Sequence, residues 1–275
     1  MPSYVIAGAS RGLGFEFLRQ LSADPSAVVI GLVRNKEATE KKVASEIGRS
    51  NIHILHGDLD DYESLKKSAE ETAKITGGGL DYLIANGAYL SGVTAFTSLH
   101  DHADEPKILE DDLIQSFKTN AVGNIHLFNL YLPLIKKGNA KKVVSISTGI
   151  ADYDLVKRSG HILAGPYTLS KAALNLAVLK FHNEFHKEGI LFFSISPGVV
   201  ATDGANHSAV GLTEKQTQRL NEMFAQFAEM EPHFKGPITP EESVRLVMQV
   251  IYNASLERGD GGSFVSQHGN RERWL

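Results

Sequence analysis

The stretch from Val5 to Phe17, VIAGASRGLGFEF, runs from apolar residues through a glycine-rich turn into helix-forming residues. Tyr4-Val5-Ile6-Ala7 suits a buried strand, and Phe15 to Leu21 repeats its apolar residues at helical spacing. Gly8, Gly12 and Gly14 lie between them. Strand, turn and helix start together make an anion site: backbone N–H groups point outward and the helix dipole adds partial positive charge. Glycine is needed where φ turns positive or another backbone must come close. The spacing is G-x-x-x-G-x-G rather than the G-x-G-x-x-G of most dinucleotide folds. Ser10, Arg11 and Leu13 fill the rest of the turn and join the glycines as candidate phosphate-binding residues. The competing reading is an ordinary glycine-rich loop.

Outward from this turn the alternation continues. Ala27 to Val33 reads as a second strand, and strand-like and helix-like segments follow to the end without a Pro/Ser-rich linker, charge block or repeat. Such alternation predicts a parallel sheet covered by helices on both faces. The 275 residues fit one domain, because α/β sheets often reach that length undivided. The expected fold is α/β, a doubly wound Rossmann-type parallel sheet forming a single domain over 1–275. An acid at the end of the second strand would hold ribose hydroxyls, whereas an Arg there accommodates a 2′-phosphate. Val33 is neutral, Arg34 follows it, Lys36 is close, and Arg11 adds a cation from the turn. These residues predict NADP(H) rather than NAD(H); the plainer alternative is a solvated loop start.

Tyr167 and Lys171, in GPYTLSKAALN, stand four residues apart and so share one face of a helix. An ammonium beside a phenol stabilises phenolate, which predicts a Tyr167 pKa below the usual ~10. Tyr167 then becomes a proton donor to a carbonyl oxygen, or an acceptor from a hydroxyl. Tyr and Lys at this spacing are common on any helix, so the pair gains meaning only from its company.

That company gives the resemblance. With the glycine spacing, Tyr167 and Lys171, the chain resembles the short-chain dehydrogenase/reductase family nearly end to end. HGDLDD places Asp58, with Leu59 beside it, where the family contacts the adenine ring. LIANGA is similar to the family's Asn-Asn-Ala-Gly segment, with Asn86 on its second Asn and Gly87 following. Asn120 in KTNAVGN matches the helix Asn that holds a relay water in this family. SPGVVATD matches the family's cofactor-binding Pro-Gly segment, Pro197 and Gly198, whose Val200 and Thr202 would face the nicotinamide carboxamide. The resemblance also implies that Lys171 binds the nicotinamide ribose. Ala7 and Ala85-Asn86-Gly87-Ala88 depart from the family pattern by small residues only. A larger departure is the long stretch TGIADYDLVKRSGHILAGP before Tyr167, read as an insertion at the mouth of the site. It leaves the catalytic hydroxyl between Thr148, aligned without gaps on the family's catalytic Ser, and Ser147 before it. Thr148 is favoured because the insertion begins after it.

The implied activity is NADP(H)-dependent hydride transfer between a carbonyl and a secondary alcohol. Epimerase or dehydratase chemistry on the same scaffold is one rival; a cofactor-sensing protein with little turnover is another, disfavoured by an intact Tyr167, Lys171 and Asn120. Residues 204–237, with LNEMFAQFAEM at helical spacing, are expected to form a lid whose Met and Phe residues suit an apolar substrate. The apolar helix holding LFNLYLPLI suggests core packing plus a homodimer or homotetramer interface. Cysteine is absent, excluding disulfides and cysteine–metal sites. No metal is expected: His182 and His186 in HNEFH lack the metalloprotease order and read as an exposed face. His100 and His102 read as loop residues in an acidic, solvated segment. The formal net charge of −4 gives no nucleic-acid footprint. Met1-Pro2-Ser3 leads into a strand, no apolar run reaches ~18 residues, and Arg-Trp-Leu is not a peroxisomal signal, so the cytosol is expected and no membrane contact. Asn206-His207-Ser208 and Asn253-Ala254-Ser255 fit glycosylation acceptors but carry no weight without a secretory signal.

Overall fold

A computed structural model describes residues 1–202 and 211–275. The first residues of the expected lid, 204–210, and the acceptor Asn206-His207-Ser208 lie outside the described residues. Seven strands form one parallel sheet: β1 (Ser3–Ala7), β2 (Val28–Val33), β3 (Ile52–His56), β4 (Tyr82–Ala85), β5 (Lys142–Ile146), β6 (Leu191–Ser196) and β7 (Phe264–Ser266). Their order is β3-β2-β1-β4-β5-β6-β7. The sheet therefore grows one way from β1 and the other way from β4, and the crevice between those two strands is where open α/β sheets bind ligands.

Alternation along each strand sends successive side chains to opposite faces. Ile6, Val144, Ile146 and Phe193 pack with α1 (Gly12–Leu21), α2 (Lys36–Glu46) and α9 (Pro240–Asn253) on one face. Val5, Leu83, Val143 and Phe192 pack with α3 (Tyr62–Thr76), α5 (Asn124–Ile135) and α7 (Gly165–Phe185) on the other. Burial on both faces explains strands that read as continuous apolar runs. Asp61 caps α3 by accepting the Glu63 and Ser64 N–H groups, and Gly77 ends it at φ 73°. α4 (Pro106–Phe117) continues into α5 through a π-helical stretch, Lys118–Gly123. A Cβ at Gly123 would overlap the Leu59 carbonyl oxygen, so only glycine lets this helix lie against the loop after β3.

The apolar helix α5 is a core element, as part of its expected role required. Leu127, Phe128, Tyr131, Leu134 and Ile135 are all buried, and Tyr131 is tied to Ser68 at 2.9 Å. Exposed apolar side chains collect instead on α4 and α7, at Ile114, Phe117, Leu169 and Leu176. Among the described residues no helix is long and apolar enough to cross a membrane.

Candidate active site

The glycine turn closes the crevice between β1 and β4 from below. Gly8 and Gly12 sit at φ 73° and 54°. A Cβ on Gly8 would stand 2.5 Å from the Gly87 Cα, and one on Gly14 would overlap the Gly8 carbonyl. Strand end, helix start and the β4 loop thus meet at distances that only glycine permits. Asn86 fixes the meeting point by donating from Nδ2 to the Gly8 carbonyl at 3.1 Å. On its outer side the turn is open. Gly8, Ser10 and Arg11 are exposed, and a Cβ on Gly12 would meet nothing closer than the Thr202 side chain at 3.5 Å. Arg11 occupies the N-cap of α1 without a side-chain cap bond, so its own side chain does not take up the first helical N–H groups. An open turn, an uncapped helix start and an adjacent guanidinium fit a phosphate group.

The other nucleotide candidates border this turn. Arg34, directly after β2, is exposed and makes no ion pair among the described residues, whereas Lys36 reaches Glu40 at 3.8 Å. Leu59 lies over Gly87, whose added Cβ would be 3.0 Å from the leucine methyl. Asp58 holds its own loop by accepting the Asp60 N–H at 3.1 Å. The Pro197 carbonyl accepts from Ser243 at 2.7 Å, Gly198 turns at φ 83°, and Val200 pairs with Ile238 in a parallel bridge.

Tyr167 and Lys171 stand on the first turns of α7, beside the end of β5. Lys171 is 1% exposed and donates to the Ile146 carbonyl at 2.7 Å. Its Nζ lies 6.0 Å from the centre of the Tyr167 ring. The expected depression of the Tyr167 pKa is not found. Burial pushes the phenol up, to about 12, although the residue keeps part of its surface open. The same desolvation pushes Lys171 down to about 8. The ammonium is spent on the Ile146 carbonyl, and burial sets the direction of the phenol's shift. In the protein alone, therefore, the phenol is held protonated.

Asn120, fully buried, is saturated by protein. Its Oδ1 accepts the Tyr89 N–H at 2.7 Å, and its Nδ2 donates to the Tyr89 carbonyl at 2.8 Å and to Ser170 Oγ at 2.9 Å. Ser170 in turn donates to the Tyr167 carbonyl at 2.7 Å. Asn120 thus staples the loop after β4 to the helix that bears Tyr167. Sequence reasoning overlooked Ser170 and Tyr89; the Ser directly before Lys171 was the available signal.

Neither hydroxyl at the end of β5 is hydrogen-bonded to the Tyr167 phenol. Ser147 still pairs with β6, its N–H donating to the Ile195 carbonyl at 2.8 Å, and its Oγ is buried without a partner. Thr148 is half-buried, in extended backbone, and stands at the N-cap of a short turn (Gly149–Ala151) without capping it.

The stretch after Thr148 is an ordered insertion. Asp152 caps α6 (Tyr153–Ser159) by accepting the Leu155 N–H at 2.9 Å and pairs with Arg271 at 2.9 Å. Trp274, 1% exposed, lies near Gly149 and against Phe264. The lid candidate contains α8 (Glu214–Met230), opened by a capping box between Thr213 and Gln216. Its far end is held by Glu231, whose carboxylate accepts the Trp274 and Leu275 N–H groups at 2.8 and 3.1 Å. Its near side is held by Asp101, which pairs with Arg219 and with Lys215, the latter at 2.9 Å. These cations hold the Asp101 carboxyl well below its usual range. The segment read as solvated is therefore tied to α8. His102 is likewise buried and bonded to Thr97 at 2.9 Å, rather than being a free loop residue. His182 packs against Gly261 instead of facing solvent, and among the described residues no cluster could hold a metal.

A model of the short chain dehydrogenase family matches residues 3–212. Short chain dehydrogenase virK of Hypocrea virens is 54% identical over 276 residues, covering all of both chains. Short-chain dehydrogenase/reductase iacC of Pestalotiopsis fici is 48% identical, again over the whole of both. Among solved structures, an NADPH-bound carbonyl reductase from chicken fatty liver superposes with a TM-score of 0.74 at 24% identity, covering 98% of each chain. Carbonyl reductase Sniffer of D. melanogaster gives 0.75 at 23% identity, with the same coverage. At these identities the two structures speak for the fold alone.

Proposed function

The chain belongs to the short-chain dehydrogenase/reductase family, and we propose that it interconverts a carbonyl compound and its secondary alcohol with NADP(H). The observation that carries this reading is the meeting of Tyr167, buried Lys171 and the end of β5 beside an open, uncapped glycine turn. NADP(H), when bound, supplies or accepts the hydride. The N–H groups of Gly12, Leu13 and Gly14 would hold the pyrophosphate, those of Gly8 and Ala9 being bonded to the Leu32 carbonyl; Arg11 and Arg34 would hold the 2′-phosphate, and Asp58 and Leu59 the adenine side. Asn86 and Gly87 shape the crevice floor, and Pro197, Gly198, Val200 and Thr202 would border the nicotinamide. Lys171 would bind its ribose, Thr148 would orient the substrate oxygen, and Tyr167 would pass a proton to it. Asn120 acts through Ser170 as a positioning residue.

Oxidation of NADPH in the presence of simple ketones, followed by absorbance, tests the reading; no turnover with any carbonyl compound refutes it. Two narrower outcomes are expected. Because Arg34 is exposed and uncommitted, its planar fork is available to a phosphate. Arg34→Asp should weaken NADPH binding by about 10- to 100-fold, the scale of one or two charge-assisted hydrogen bonds, and narrow or reverse the preference over NADH. Direct titration checks this, and a wild type that prefers NADH refutes the assignment. The second outcome concerns pH. Lys171 works as an ammonium, and burial places its pKa at about 8. Since kcat/KM for NADPH reports ionisations of the free enzyme, it should be flat at lower pH and fall as pH rises through that value. A flat profile on the alkaline side shows that Lys171 charge is not required.

The exposed apolar residues of α4 and α7 support a homodimer or homotetramer formed through those helices. A monomer in sedimentation would exclude it.

A further inference from the structure

Six residues before Tyr167, His161 sits where the insertion meets α8. Gly160, at φ 63°, and Ala164, at φ 54°, turn the chain from α6 into α7 on either side of it. Its ring stacks on Phe227 of α8, with centroids 6.2 Å apart and planes 27° from parallel. Phe227 meets Phe234 edge-on at 6.0 Å, and Phe234 stacks on Phe224 at 6.2 Å. His161 is thus the hydrogen-bonding member of an aromatic ladder beneath the lid candidate.

Both ring nitrogens are closed to solvent, and neither completes a hydrogen bond among the described residues. The Leu163 backbone lies near the ring but does not satisfy it. Burial lowers the imidazole pKa, so the ring is neutral near pH 7. Fixing the loop does not explain this residue, because the His161 N–H already does so by donating to Ser159 Oγ at 3.3 Å. Stacking does not explain it either, since Phe would stack equally well on Phe227. What remains is one donor and one acceptor, both left unpaired. A hydroxyl complements such a pair. A carboxylate, which only accepts, or an ammonium, which only donates, would match half of it. The flanking phenylalanines favour a flat ring over an aliphatic chain.

We infer that His161 is a substrate-positioning residue that hydrogen-bonds a hydroxyl on a planar aromatic ketone once α8 lifts to admit it. The inference rests on the carbonyl-reductase reading and narrows its substrate class.

The test compares wild type, His161→Phe and His161→Gln on paired aryl ketones that differ by one ring hydroxyl, such as 1-tetralone and its hydroxylated analogues. Wild type should favour the hydroxylated ketone in kcat/KM by about tenfold or more, the scale of one buried hydrogen bond. His161→Phe should erase that ratio and His161→Gln should restore part of it, with thermal stability and NADPH affinity confirming intact folds. An equal ratio in wild type and His161→Phe overturns the inference, as does a His161→Gln ratio no better than that of Phe. If wild type reduces no ketone of either kind, the carbonyl-reductase reading falls separately. Calorimetric binding of the hydroxylated ketone then decides the inference: tighter binding to wild type than to His161→Phe supports it, and equal or absent binding overturns it.

Discussion

Tyr167→Phe should lower turnover by at least about 100-fold, the lower end of what a positioned general acid contributes, while NADPH affinity changes little. The substitution removes one oxygen and keeps the ring, so packing at the start of α7 survives. That oxygen makes no hydrogen bond to Ser147 or Thr148, so its loss leaves no protein group there unsatisfied. Burial holds the phenol protonated, with a pKa of about 12, which suits a donor in the reductive direction. Once the proton leaves, phenolate stands 6.0 Å (ring centre to Nζ) from an ammonium already fixed on the Ile146 carbonyl. Lys171→Ala should therefore damage both turnover and cofactor binding, since that lysine serves both. Steady-state kinetics with fluorescence titration of NADPH separates the two effects. Undiminished turnover in Tyr167→Phe would sink the proton-donor assignment.

The fold was legible because its determinants are local. Gly8, Gly12 and Gly14 between an apolar run and a helical one announce a β–α unit, and repetition of that unit leaves a parallel sheet as its natural outcome. The shared helix face of Tyr167 and Lys171 followed from spacing for the same reason, whereas Asn86 and Asn120 came from the family resemblance. What sequence did not show depends on contacts between distant segments. The Tyr167 pKa was expected to fall because a neighbouring charge can be read from spacing, whereas desolvation cannot. The apolar residues of α5 exceed one face, and which neighbours cover them is invisible in sequence; in the fold α3 and α7 do so. Asp101 read as solvated because its partners, Lys215 and Arg219, lie more than a hundred residues away. The Trp274–Glu231 clasp has the same character: a lone tail tryptophan gives no sign of what it covers.

Thr148→Val should lower turnover by about 100-fold, the scale of a transition-state hydrogen-bond donor lost, whereas Ser147→Ala should cost less than tenfold. Alternation alone points the other way. Val143 and Ser147 share a face of β5, and that face carries α7. Height and access reverse the choice. Lys171 reaches the Ile146 carbonyl, and Tyr167 lies one helical turn, about 6 Å, nearer the carboxyl edge of the sheet. Two residues along an extended chain, about 6.6 Å, carry Ile146 to Thr148, which matches that rise along α7 better than the single residue to Ser147 does. Ser147 lies one residue deeper in the sheet, with its Oγ closed to solvent. Thr148 is partly open, and its hydroxyl is not committed to capping the turn it begins. Threonine offers the same donor and acceptor as serine, with one fewer easy rotamer. Val matches its shape without the hydroxyl, so a loss confined to kcat, with NADPH affinity and thermal stability retained, assigns the role to Thr148. Full turnover in Thr148→Val together with a collapse in Ser147→Ala would assign it to Ser147.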